Sequence, residues 1–205
     1  RDGHIVFDVD ECSLTDKSGY QIAALSGSVD IQKGKVSISN MAYQDNWSTL
    51  DVPLYEMTIP SRTIADRSPI QYNITARGSH LDGQSISYLT GRAGRFTPGL
   101  DISALEAHGS VKDLEISRLG VTEESGVRLS LSGRLKNLDD LPQASADINL
   151  QHLVATSSSL QDLLRKCSVS VPVNLREYAT GCPLNLRARC KGPANALKMD
   201  ASLDA

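Results

Sequence analysis

The chain reads as an all-β protein, an elongated, curled, mainly antiparallel sheet of groove-like form with one or two short helices. Three observations point there. Apolar and polar residues alternate in segment after segment, as a strand with one dry and one wet face requires. A phrase also recurs: residues 109–116 and 133–140 share the frame Gly-x-apolar-Lys-x-Leu with an alternating segment between them, and 192–199 is a looser echo. Self-similarity of this kind marks one supersecondary unit copied along the chain, and such units stack into arrays. The third observation is a poverty of bulky anchors, two Phe and one Trp in 205 residues. A core made of Val, Ile, Leu and Ala is thin or open.

Residues 4–10 alternate cleanly and form the first expected strand, followed by a turn at 17–19. The next strand, 20–31, changes phase near Ala23-Ala24-Leu25, which predicts a bulge that bends it. A hairpin turn at 32–35 leads into the strand at 36–41. The segment 48–59 alternates through Leu50, Val52 and Leu54, then shifts after Pro53. Proline cannot donate to a ladder, so Pro53 belongs at an edge or a bulge. Residues 70–76 are another strand, whereas 80–107, with Gly83, Gly91, Gly94, Pro98 and Gly99, read as loop with short helical turns. This divides the chain into an N-terminal sheet segment (1–79), an irregular linker (80–107) and a repeated groove segment (108–205), or one continuous domain.

In the repeated part, Val127, Leu129 and Leu131 share one strand face, and Ala146, Ile148 and Leu150 share another. Residues 157–166 have a serine cap, leucines at i, i+3 and i+4, and basic residues in the last turn, which together predict a short helix. Alternation resumes at Val169, Val171 and Val173 and again at Leu184, Leu186, Ala188 and Cys190.

Composition excludes several classes of function. A net charge of −3 with scattered basic residues gives no electrostatic footprint for nucleic acid. No apolar run is long enough to span a bilayer, and no secretory signal is present. The chain opens on Arg1-Asp2-Gly3 and closes in mid-pattern, so it reads as an internal section of a longer protein. Cys12, Cys167, Cys182 and Cys190 lack metal-type spacing with the histidines. The last three could bridge neighbouring strands, but small buried thiols are the expectation.

No nucleophile elbow is present, and Gly91-Arg-Ala-Gly94 lacks the context of a phosphate loop. The tandem acids Asp8/Asp10/Glu11, Glu123/Glu124 and Asp139/Asp140 read as solvated charges, and His4, His80, His108 and His152 as exposed strand residues. Trp47 is expected to pack on a sheet face. No catalytic residue, metal ligand or cofactor is expected, and the chain does not read as an enzyme.

Several words of the sequence resemble the TamB branch of the AsmA-like family, in its long Bacteroidetes form. They are 109–116, then Gly-Val-Arg-Leu-Ser-Leu-Ser-Gly at 126–133, then 138–150, then the helix at 157–164, with 184–192 as the next repetition. The similarity is best over 87–205. It implies a curled groove with an apolar lining, located in the periplasm and implicated in phospholipid transport between membranes and in outer-membrane biogenesis. In a whole family member it also implies an inner-membrane anchor and a partner of the Omp85 class in the outer membrane.

Physics alone leads part of the way. A sheet with one dry face must cover it by curling, with helices, or with a ligand, and a single short helix is too little. Phospholipid acyl chains fit a trough, because burying each methylene gives about 0.8 kcal/mol. The expected lining is Val127, Leu129, Leu131, Ala146, Ile148, Leu150, Leu184, Leu186 and Ala188. The alternative is a structural spacer or an assembly scaffold acting by β-strand pairing, its clients, by the resemblance, being outer-membrane proteins.

Overall fold

In the computed structural model, which describes residues 3–60, 69–90, 98–166, 183–193 and 196–204, eleven strands form one antiparallel sheet in chain order. They are β1 (Ile5–Thr15), β2 (Gln21–Gln32), β3 (Lys35–Asp45), β4 (Thr49–Thr58), β5 (Gln71–Leu81), β6 (Leu100–Ser110), β7 (Asp113–Glu123), β8 (Arg128–Lys136), β9 (Ser145–Ala155), β10 (Leu184–Pro193) and β11 (Lys198–Asp204). Each strand pairs only with its chain neighbours, so β1 and β11 are edges and the sheet is open. Helix α1 (Gly83–Thr90) follows β5, and α2 (Ser157–Lys166) follows β9. Because strand direction alternates, both helices stand at the same end of the sheet as the turns after β1, β3 and β7. The all-β fold class is as the alternation predicts.

The register lines the apolar residues up across the whole sheet. One row passes through all eleven strands: Phe7, Val29, Ile38, Tyr55, Ile74, Ala107, Ile116, Gly133, Ile148, Cys190 and Met199, each paired with the next. A parallel row runs from Ile5 through Ile31, Val36, Met57, Tyr72, Gly109, Leu114, Leu135 and Ala146 to Gly192. The opposite face carries a polar row that includes Glu56, Asn73, His108, Glu115, Arg134, Asp147 and Lys191. The period of two thus becomes two chemically distinct surfaces.

Bulges form a band across the middle of the sheet. The register slips between Val9 and Cys12 in β1, around Pro53 in β4, between Ile116 and Leu119 in β7, and around Gln151 in β9. Each extra residue bends its strand and increases the local twist, so a band of them curls the sheet. The bulge expected near Ala23 is present in β2. Pro53 also lies at a bulge, inside an internal strand. The stretch 80–107 holds the end of β5, α1 and most of β6, and the sheet order passes through it without a break. Glycines there had hidden the alternation of Leu100, Ile102 and Ala104.

The repeated phrase marks strand ends, where one strand closes and turns into the next. Gly109, Gly133 and Gly192 lie in the closing half of β6, β8 and β10, before the turn. At Gly109 φ is +121°, and an added Cβ would collide with the carbonyl oxygen of Asp113. Gly133, at +159°, would press a Cβ to 2.5 Å from the carbonyl oxygen of Asp147. The phrase recurs because the neighbouring strand's backbone comes this close at alternate hairpins. The expected helix at 157–166 is α2 as observed. Val169, Val171 and Val173 lie outside the described residues.

Replacing Gly109 with Ala is expected to lower stability by about 1–3 kcal/mol in urea unfolding, whereas Val111→Ala, on an exposed turn, should stay within about 0.5 kcal/mol.

Candidate functional site

The candidate site is the apolar side of the sheet. Eight of the nine residues expected to line it pair on that side, and the register groups them by rungs across strands. Leu131 pairs with Leu150, which pairs with Ala188, while Leu129 pairs with Leu153, which pairs with Leu186. Ile148 faces Gly133 and Cys190, Ala146 faces Leu135 and Gly192, and Leu184 faces Ala155. Val127 immediately precedes β8, and its carbonyl accepts the Glu123 N–H at 2.8 Å, closing the β7–β8 turn. It is buried, at the helix end of the sheet and not in the open part of the row.

Several lining residues were not legible in the sequence. Leu153 and Ala155 return to the apolar side because the β9 bulge reverses the phase at Gln151-His152. Leu105 and Leu119 extend the Leu131 rung towards β5, where it ends on Ala76. The N-terminal half contributes Val29, Ile38, Tyr55 and Ile74 to the same surface.

Among the described residues no second sheet covers this side, yet Val52, Ala76, Ala107 and Ala188 on it are buried and Leu129, Leu131, Ile148 and Leu150 are half-buried. The curl of the sheet provides this shelter. It fails at the two edges, where Phe7 is 45% and Met199 65% exposed. The polar side differs. Arg134 grips Asp113 through Nε at 2.5 Å and a second nitrogen at 2.6 Å, and Asp147 lies 3.3 Å from Arg189 and 3.2 Å from Lys191. Shallow depressions of about 720 and 780 Å³ open between these long side chains, lined by residues such as Glu115, Arg134, Asp147, Arg187 and Lys191. Exposed pairs of this kind keep the polar side solvated and hold register.

The helix end of the trough is fastened twice by the same device, a buried carboxylate at the end of an odd-numbered strand. Asp45 closes β3. Its Oδ1 accepts the N–H groups of Trp47 (2.9 Å) and Ser48 (2.6 Å) and the Ser85 hydroxyl of α1 (3.0 Å). Its Oδ2 accepts the hydroxyls of Tyr20 and Tyr43, each at 2.8 Å. Ser48 also donates to Ser85 at 2.7 Å, and Tyr88 of α1 stacks on Tyr20 with ring centroids 3.8 Å apart. Glu123 closes β7 and is 2% exposed. It accepts the Ser125 N–H at 2.8 Å, the Ser125 hydroxyl, and the ammonium of Lys166 in α2 at 2.7 Å. Each helix therefore reaches back to the hairpin that begins two strands before it.

Burial works against both charges, but the donors prevail. Ser48, Trp47, Ser85 and Tyr43 hold the Asp45 carboxyl below the ordinary range, and Lys166 and Ser125 do the same for Glu123. Burial, the Tyr20 hydroxyl and the Asp45 charge push the Tyr43 phenol well above its usual value. Glu123, expected from the sequence to be a solvated charge, is buried. The available signal was an acid followed two or three residues later by a serine at a turn, present at 45–48 and 123–125.

Trp47 sits in the β3–β4 turn beside Tyr20, with centroids 5.9 Å apart, not on a sheet face as expected. Cys12 and Cys190 are free thiols, the first exposed and the second half-buried. Cys167, Cys182 and the Gly91–Gly94 segment lie outside the described residues. No family model, curated protein or solved structure matches this chain.

Because both folded-state carboxyls are depressed, their stabilisation is complete above the ordinary values of 3.8 and 4.5 and vanishes as pH falls through the folded ones. The urea midpoint should therefore drop on acidification below about pH 4.5. Glu123→Gln should lower stability by about 1–3 kcal/mol at neutral pH and flatten part of that acid dependence.

Proposed function

We propose that this chain is a non-enzymatic groove segment that holds phospholipid acyl chains along its apolar side. The observation that supports this most directly is the unbroken apolar row through all eleven strands, half-sheltered by curvature and covered by no second sheet among the described residues. Ten intervals of ~4.8 Å give the row a length of about 48 Å. One acyl chain extends over half of a ~30 Å hydrocarbon core, about 15 Å. A surface some three chains long is suited to passing lipid along, not to fixing a single molecule. Affinity would come from methylene burial at about 0.8 kcal/mol each, with the head group left in water at the open seam.

In this reading the chain is a section of a TamB-like member of the AsmA-like family, in the periplasm. The full-length protein would have an inner-membrane anchor and an Omp85-class outer-membrane partner, and would serve phospholipid transport between membranes and outer-membrane biogenesis. The support is the resemblance of its repeated words together with the groove form. A second reading, a spacer or assembly scaffold acting by strand pairing, draws on the exposed edges β1 and β11, where Ile5 is 56% and Met199 65% exposed.

Native mass spectrometry of gently purified protein should show retained phospholipid. With a phospholipid carrying a photoreactive acyl chain, Leu129→Asp should cut crosslinking at least ~10-fold, because it places a charge in the apolar row. Arg128→Asp, on the polar side, should leave it nearly unchanged. Absence of retained lipid together with equal labelling of the two variants, both checked for β-sheet by circular dichroism, would sink the groove reading in favour of the spacer.

A further inference from the structure

We propose that His80, Asp82 and Glu124 form a binding site for a first-row divalent cation, with zinc the best match. One ligand atom from each lies within 4.8 Å of the others. His80 belongs to β5, Asp82 precedes α1, and Glu124 stands in the β7–β8 turn. Strand β6 separates β5 from β7, so His80 and Glu124 come from strands about 10 Å apart. They meet because the intervening position is Gly99. A Cβ there would lie 2.5 Å from Glu124 Oε1 and 3.2 Å from His80 Cε1, so the missing side chain is what opens the gap between them.

The donors are also arranged for an ion. His80 Nδ1 lies 2.7 Å from Asp101 Oδ1. In the neutral tautomer that donates Nδ1–H to this carboxylate, Nε2 presents its lone pair. This is the outer carboxylate that orients a metal-bound histidine. Asp82 uses Oδ1 to accept the Gln84 N–H at 2.7 Å, and no hydrogen bond from a described residue engages its second oxygen. Glu124 Oε2 is 3.8 Å from the Lys166 ammonium, whereas Oε1 faces the gap. Among the described residues, three carboxylates and an imidazole thus gather beside a single ammonium, and a divalent cation would relieve their repulsion. One nitrogen with two carboxylate oxygens suits zinc completed by water, and falls short of the six to eight oxygens of calcium. The ion would tie the root of α1 to the turn whose Glu123 holds α2.

Equilibrium dialysis and calorimetry of the full chain with Zn²⁺ test this. The wild type should take up one equivalent with a rise in Tm, and His80→Gln and Glu124→Gln should each weaken uptake at least ~10-fold and abolish that rise. Glu124 is on an exposed turn, so its variant retains the fold, and circular dichroism checks both. Gly99→Ala, which fills the gap, should behave as the ligand variants do. No saturable uptake by the wild type, or uptake that either ligand variant retains to within tenfold, would overturn the site.

Discussion

Register is the constraint on which everything else here depends. Ten antiparallel ladders join eleven strands, and a slip of one residue in any of them would turn that strand's apolar residues to the solvent side and interrupt the row from Phe7 to Met199. A sheet clamped between two layers has its register enforced by packing. This sheet has no second sheet among its described residues, so enforcement must be local. It comes from tight turns, from glycines at 109 and 133 where a neighbouring backbone leaves no space for a side chain, and from charged pairs such as Arg134–Asp113 that link adjacent strands.

The same absence of a second sheet explains the curvature. Apolar residues on a flat, uncovered sheet would be exposed throughout, as they are at the edges. Bulges in β1, β4, β7 and β9 bend the strands in one band, and the interior rungs become half-buried. The two helices do not cover this surface. They are anchored at one end of the strands, by Ser85 on Asp45 and by Lys166 on Glu123. The acids at 45 and 123 do equivalent work with different chemistry: hydroxyls and turn amides saturate one, and an ammonium completes the other. That equivalence recurs on a unit of four strands and a helix.

Much of the fold was legible because a period of two is a local property. Eight of the expected lining positions, from Leu129 to Ala188, could be assigned to a face from their neighbours in the chain. The positions that were missed share one cause. Where a bulge inserts a residue, as at Gln151 or around Ser117, alternation reverses phase, and Leu153 or Leu119 looks misplaced until its partner strand is known. The stretch 80–107 was misjudged for a related reason, since its glycines masked the alternation that makes β6.

Local residue pattern specifies the all-β class, the extent of α2, the two-faced chemistry of the strands and the hairpins between them, because each depends on contacts within a few residues. Only the tertiary structure decided which residues share a rung, that Glu123 is buried, and that His80, Asp82 and Glu124 come together around Gly99. Those depend on the relative placement of residues up to 44 positions apart (His80 and Glu124), which is set by cumulative register and curvature across the sheet. No local pattern of residues encodes that sum.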